Sequence, residues 1–161
     1  MSIEELTLHA EDFLRKHYDM ELAIPIRKNS RLKRTLGCFI TVKQQAECIE
    51  IAGYLMDYGA TEVVLDTLYH ELIHYALFTQ GKPYQDGRVE FENELRKHGV
   101  SSTNTPVKVG KYIEYYCTKC GKEYETERQR VFKYPHLYRS RCCKAPINVV
   151  DFRIYDGTEA V

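Results

Sequence analysis

Ile3, Leu6, Ala10, Phe13, Leu14 and His17 recur at three- and four-residue steps, which predicts an amphipathic helix over residues 3–20 with one buried stripe. Over residues 35–42 the period changes to two. Leu36, Cys38, Ile40 and Val42 then share one face, and a second short strand over 47–52 pairs back across Lys43, Gln44 and Gln45. Cys38 and Cys48 fall on these strands, where small buried thiols are expected. Residues 61–80 carry apolar side chains around most of a helical circumference (Val63, Val64, Leu68, Leu72, Ile73, Leu77), so this helix is predicted to be buried. Thr61 can cap its start, Gly81 can end it in a left-handed conformation, and Pro83 prevents its continuation. A further helix over 89–98 turns Phe91 and Leu95 inward. The polar stretch 100–110 reads as a linker, and alternation over 111–117, 124–131 and 147–155 predicts three more strands.

The chain has 161 residues, 29% charged and 43% hydrophobic, enough for one ordinary domain with a small appendage and a core that needs no disulfides. Its net charge of zero removes any case for a globally basic nucleic-acid protein. That zero conceals an asymmetry. Residues 1–106 hold 12 basic and 16 acidic side chains, and residues 107–161 hold 11 and 7. Cysteine divides likewise, with Cys38 and Cys48 apart in the first part and Cys117, Cys120, Cys142 and Cys143 crowded in the second. Such crowding points to metal where thiols stay reduced. No stretch approaches 18 apolar residues, and the acidic start is unlike a secretion signal, so a cytoplasmic chain without a membrane partner is expected.

The buried helix carries His70, Glu71 and His74, and ionisable groups there must be paired, hydrogen-bonded or bound to metal. His70 and His74 are one turn apart and can close on one cation, while Glu71, offset by about 100 degrees, is placed to take a proton from water. This is the HExxH arrangement of zinc hydrolases. With 6 His and 16 Glu in the chain it arises by chance roughly 0.02 times. The bland alternative is a pair of hydrogen-bonded core histidines. A catalytic zinc commonly takes a third protein ligand. From His74 to Gly81 the helix travels about 10 Å and the next five residues span up to about 17 Å, so Asp86 can fold back. Glu94, on the following helix, is a rival at thermolysin-like spacing, and sequence spacing leaves the two open.

The stretch from Arg31 to Phe39, HELIHY at 70–75, GKPYQDG at 81–87 followed by Phe91, and the cysteine-bearing tail make the chain resemble the SprT-like (Spartan-type) family across most of its length. The resemblance implies an α+β fold: a zincin-like metallopeptidase domain over 1–106, then a small antiparallel zinc ribbon over 107–161. It also implies a His before the glycine of a GKxYxHG stretch, a position held here by Asp86, which favours Asp86 over Glu94 as third ligand. Animal relatives cleave proteins trapped on DNA, so a protein substrate associated with DNA is a further implication.

In the second part Cys117-Thr118-Lys119-Cys120-Gly121 forms a zinc-knuckle turn. The second pair is irregular, because Ser140 stands where a ribbon's third Cys belongs; Cys142 or His136 can substitute, and a ribbon with degraded metal binding or unrelated buried thiols are the alternatives. One catalytic zinc on His70, His74 and Asp86 and one structural zinc on Cys117, Cys120, Cys142 and Cys143 are therefore expected. Between residues 128 and 144 lie Arg128, Arg130, Lys133, Arg139, Arg141 and Lys144, with Tyr134 and Tyr138 and no acid. This strip suits DNA contact, or is simply a solvated basic face. The expected activity is peptide hydrolysis by metal-activated water with Glu71 as general base. The alternative is a non-catalytic zinc-bearing module that binds nucleic acid or protein.

Overall fold

Ser2 and Glu5 start the first helix by a reciprocal cap, the Ser2 hydroxyl accepting the Glu5 N–H at 3.2 Å and the Glu5 carboxylate accepting the Ser2 N–H at 2.7 Å. In the computed structural model, which describes residues 1–102 and 107–159, this helix α1 spans Ile3–Tyr18 and buries Leu6, Ala10, Phe13 and Leu14. A three-stranded sheet follows, made of β1 (Ile26–Asn29), β2 (Gly37–Val42) and β3 (Gln45–Ala52). β2 and β3 form the expected hairpin, with Lys43 and Gln44 both at positive φ, as a two-residue turn between twisted strands requires. β1 pairs parallel to β3 on its other side, leaving β2 at the edge.

The face of β2 that packs inward is the opposite of the expected one. Phe39 meets the rings of Tyr75, Phe78 and Tyr84, whereas Cys38 and Val42 are exposed. Cys48 is buried as expected. A short helix α2 (Gly53–Tyr58) leads to the long α3 (Thr61–Thr79), whose Leu68, Leu72, Ile73 and Ala76 are fully enclosed. Ala60, not Thr61, occupies its cap position, and no side chain caps this end. At the other end Gly81 adopts φ 67° and the Lys82 N–H donates to the Leu77 carbonyl at 2.9 Å. Helix α4 (Val89–His98) lays Phe91 and Leu95 into the same core.

The second sheet consists of β4 (Val109–Cys117), β5 (Glu123–Thr126) and β6 (Ile147–Asp156), all antiparallel in the order β5-β4-β6. The strand expected over 124–131 ends early. The Thr126 hydroxyl accepts the Arg128 N–H, and Gln129–Lys133 form a helical turn, α5, that buries Val131 against Ile113. Part of the expected linker, residues 103–106, lies outside the described residues. On either side of it Val100 and Val109 join the first core, and the Ala60 N–H donates to the Asp156 carbonyl at 2.9 Å, tying β6 to the start of α3. The architecture is thus mixed α+β with two small sheets. Among the described residues no helix is long and apolar enough to cross a membrane.

Candidate metal centres

His70 and His74 leave α3 one turn apart, and each ring is fixed through its Nδ1. His70 Nδ1 lies 3.0 Å from the Ser101 carbonyl and His74 Nδ1 lies 2.5 Å from the Tyr84 carbonyl. A carbonyl oxygen only accepts, so in each ring Nδ1 carries a hydrogen, and the neutral ring then offers the lone pair of Nε2. Those two Nε2 atoms face Asp86 Oδ1, at 3.5 Å from His70 and 3.3 Å from His74. Phe91 holds the rings in place, stacking on His74 at 3.9 Å and meeting His70 edge-on at 5.1 Å. Asp86 reaches this point because the chain reverses at Gly81 and again at Gly87, both at positive φ, with the Gly87 N–H held by the Glu92 carboxylate.

One donor atom from each of His70, His74 and Asp86 therefore lies within 4.8 Å of the others. In their deprotonated forms these three groups converge as donors, an arrangement that a cation would bridge. The carbonyl-anchored rings match the outer hydrogen bonds that orient metal-ligating histidines. The donor set fits zinc. Glu94 is elsewhere. With Phe91 and Leu95 turned toward α3, it faces α1, where it accepts the Tyr18 hydroxyl at 2.8 Å and contacts Lys97 and His98.

Glu71 lies beside this cluster and is only 7% exposed. Burial pushes its carboxyl up to about 8, against the Phe39 N–H that hydrogen-bonds it, and the Asp86 charge adds to the rise. Burial likewise pushes His74 below its usual value, opposed by its bond to Tyr84. Sequence reasoning missed Gly37. A Cβ there would lie 2.9 Å from Glu71 Cγ, Glu71 Oε1 and Thr67 Cγ2, so only glycine lets β2 approach the helix this closely. A signal was available in a glycine at the start of an otherwise apolar strand. His70, Glu71, His74 and Asp86 all line a cleft of about 860 Å³, walled by Cys38 and Phe39 of β2 on one side and by Lys108 and Tyr112 of the second part on another. Burial and the carboxylates of Glu71 and Glu50 push the Cys38 thiol up, so it stays protonated near neutral pH.

The second centre gathers Cys117, Cys120, Cys142 and Cys143, whose sulfurs lie within 4.8 Å of one another. Two tight turns bring them together. In the first, Gly121 at φ 73° donates to the Cys117 carbonyl. In the second, Ser140 is almost wholly buried, its N–H bonds the Ala145 carbonyl and its hydroxyl accepts the Ala145 N–H. Ser140 thus serves the turn, and Cys142 supplies the sulfur, 3.4 Å from that of Cys120. The Tyr124 hydroxyl draws the Cys142 thiol down to about 6. His136 is not among the gathered donors. Four thiols at this spacing suit a structural zinc. The six basic residues from Arg128 to Lys144 are all exposed, with Arg130 and Lys133 flanking the Tyr134 ring.

The sequence profile of the SprT-like family matches residues 3–110. Similar curated proteins carry the same designation, Protein SprT-like. That of Bacillus subtilis (strain 168) is 28% identical over 151 residues, covering 91% of this chain and 97% of its own. That of Bacillus velezensis (strain DSM 23117 / BGSC 10A6 / LMG 26770 / FZB42) is 31% identical over 123 residues, covering 74% and 78%. That of Staphylococcus aureus (strain JH9) is 31% identical over 100 residues, covering 60% and 64%. No solved structure gives a significant match.

Proposed function

The chain belongs to the SprT-like family, and on that premise we propose that it is a zinc-dependent metallopeptidase with a zincin-like first part and a zinc-ribbon second part. The observation that carries this reading is the meeting, in one cleft, of His70 Nε2, His74 Nε2 and Asp86 Oδ1 beside the enclosed Glu71 carboxyl. Those three residues would hold the catalytic ion, and the four cysteines would hold a structural one. Zinc so bound would bring the pKa of a water toward neutrality and polarise a carbonyl oxygen.

The chain's own residues do the rest. The Ser101 and Tyr84 carbonyls keep both rings in the tautomer that points Nε2 inward. Glu71, steadied by the Phe39 N–H and ionised once a cation beside it offsets the cost of burial, would take a proton from water as that water attacks the scissile carbonyl and return it to the departing amine. Lys108 and Tyr112 close the cleft from the second part, so an extended peptide lying against β2 passes between the two parts. The exposed basic strip with Tyr134 supports an action on proteins associated with DNA. A cytoplasmic setting accords with six cysteines left as thiols.

The test is Glu71→Gln. This variant is expected to keep its full zinc content and lose at least about a hundredfold in cleavage of a denatured protein. Unchanged cleavage would dismiss the enzyme. Zinc retained with no cleavage in the wild type, tried with and without single-stranded DNA, would leave a binding module in its place.

A further inference from the structure

Six of the ten large apolar side chains exposed among the described residues lie between positions 132 and 154. Three of them, Val150, Phe152 and Ile154, stand on β6, with the Phe132 ring 6.0 Å from that of Phe152. β6 is an outer strand, and among the described residues no strand lies against its far side. The Phe152 N–H donates to the side chain of its own neighbour, Asp151 Oδ1, at 2.7 Å. Four residues on, the Asp156 carbonyl receives the Ala60 N–H, so the first part closes the edge at that point. At the other end a bulge leaves Val150 without a partner on β4. The open stretch is therefore residues 150–154.

We propose that β6 pairs antiparallel with β6 of a second copy of this chain, about a two-fold axis through Phe152, joining the two sheets into one of six strands. Residues directly opposite in an antiparallel pair share a face. With Phe152 opposite Phe152 of the copy, Val150 meets Ile154, and Asp151 meets Arg153, each contact occurring twice. The charges select this register. Sliding by two residues one way sets Asp151 against Asp151, and sliding the other way sets Arg153 against Arg153. Like charges directly opposite are destabilising, so only the register centred on Phe152 joins apolar to apolar and acid to base. Pairing also hands the Phe152 N–H to a carbonyl of the copy and releases Asp151 to its new partner. Arg153 gives up exposed contacts with the Glu159 carboxylate at 3.3 and 3.5 Å, in which both side chains are half exposed and the bond is weak, and shifts from the Tyr155 ring 4.9 Å away.

The experiment is sedimentation equilibrium of the full zinc-supplied chain from about 5 to about 500 μM. Wild type is expected to rise with concentration from 18.9 kDa toward twice that mass. Asp151→Arg sets Arg against Arg and Arg153→Asp sets Asp against Asp, so each alone weakens association at least about tenfold. Mixing the two single variants in equal amounts restores the dimer, and so does combining both changes in one chain. Far-UV circular dichroism reports that all remain folded. A wild type that stays at 18.9 kDa throughout overturns the proposal. So do single variants that associate as wild type does, or a mixture that remains monomeric. A monomeric chain whose grip on a single-stranded oligonucleotide falls with Phe152→Ala also overturns it and gives the patch to nucleic acid.

Discussion

Gly37 measures how tightly the cleft is built. With a Cβ there only 2.9 Å from the Glu71 side chain and Thr67, Gly37→Ala must displace either β2 or the carboxyl. The expected result is a loss of cleavage with zinc content little changed, checked by elemental analysis beside a peptidase assay. Asp86 and Glu94 separate in the same way. Asp86→Ala is expected to remove one zinc per chain, whereas Glu94→Ala keeps it, because Glu94 faces Tyr18 and not the histidines. The reverse outcome would move the third ligand to α4. Of these residues His70, Glu71 and His74 were legible in the sequence because helical spacing alone puts them together. Asp86 was one of two choices because its position depends on two glycine reversals, and Gly37 went unread because a glycine opening an apolar strand does not reveal a neighbour 34 positions away that sets its role.

At the scale of elements, α3, α4 and the Cys-bearing strand β4 were legible because each has an unbroken period and a clear end. β1 was not, since Ile26–Asn29 has one buried residue and is held only by pairing with β3. The inward face of β2 also went unread. Alternation fixes two faces but not which is inside, and here Phe39 outcompetes Cys38 for the core. The junction of α1 and α4 yields a pH dependence. Burial pushes Glu94 up, but bonds from Tyr18, Lys97 and His98 hold its carboxyl below the ordinary 4.5. A folded-state value below the unfolded one adds stability that is present above about 4.5 and lost as pH falls through the folded value. Glu94→Gln is therefore expected to be less stable than wild type at pH 7 in urea melts, with the difference closing in acid below 4.5. On α3, Leu72→Ala should cost about 2–5 kcal/mol, since the side chain is fully enclosed.

For the whole molecule, the two sheets are joined by buried contacts. Val107 and Val109 pack into the first core, and Gly157 at φ 91° leaves room for them where a Cβ would sit 2.9 Å away. If the four cysteines hold an ion as proposed, its loss should therefore be felt in the cleft through Lys108 and Tyr112. Cys143→Ser is expected to loosen the second sheet in hydrogen exchange and to raise KM while the histidine site keeps its metal.

The loop from Gly81 to Gly87 has two duties at once: its Tyr84 carbonyl anchors the His74 ring, and its Asp86 completes the donor set. An insertion or deletion there would strip away the anchor and the third donor together. A change in the length of this segment is thus expected to abolish any metal binding at a stroke, whereas an exchange of the single side chain at position 86 would leave the imidazole moored.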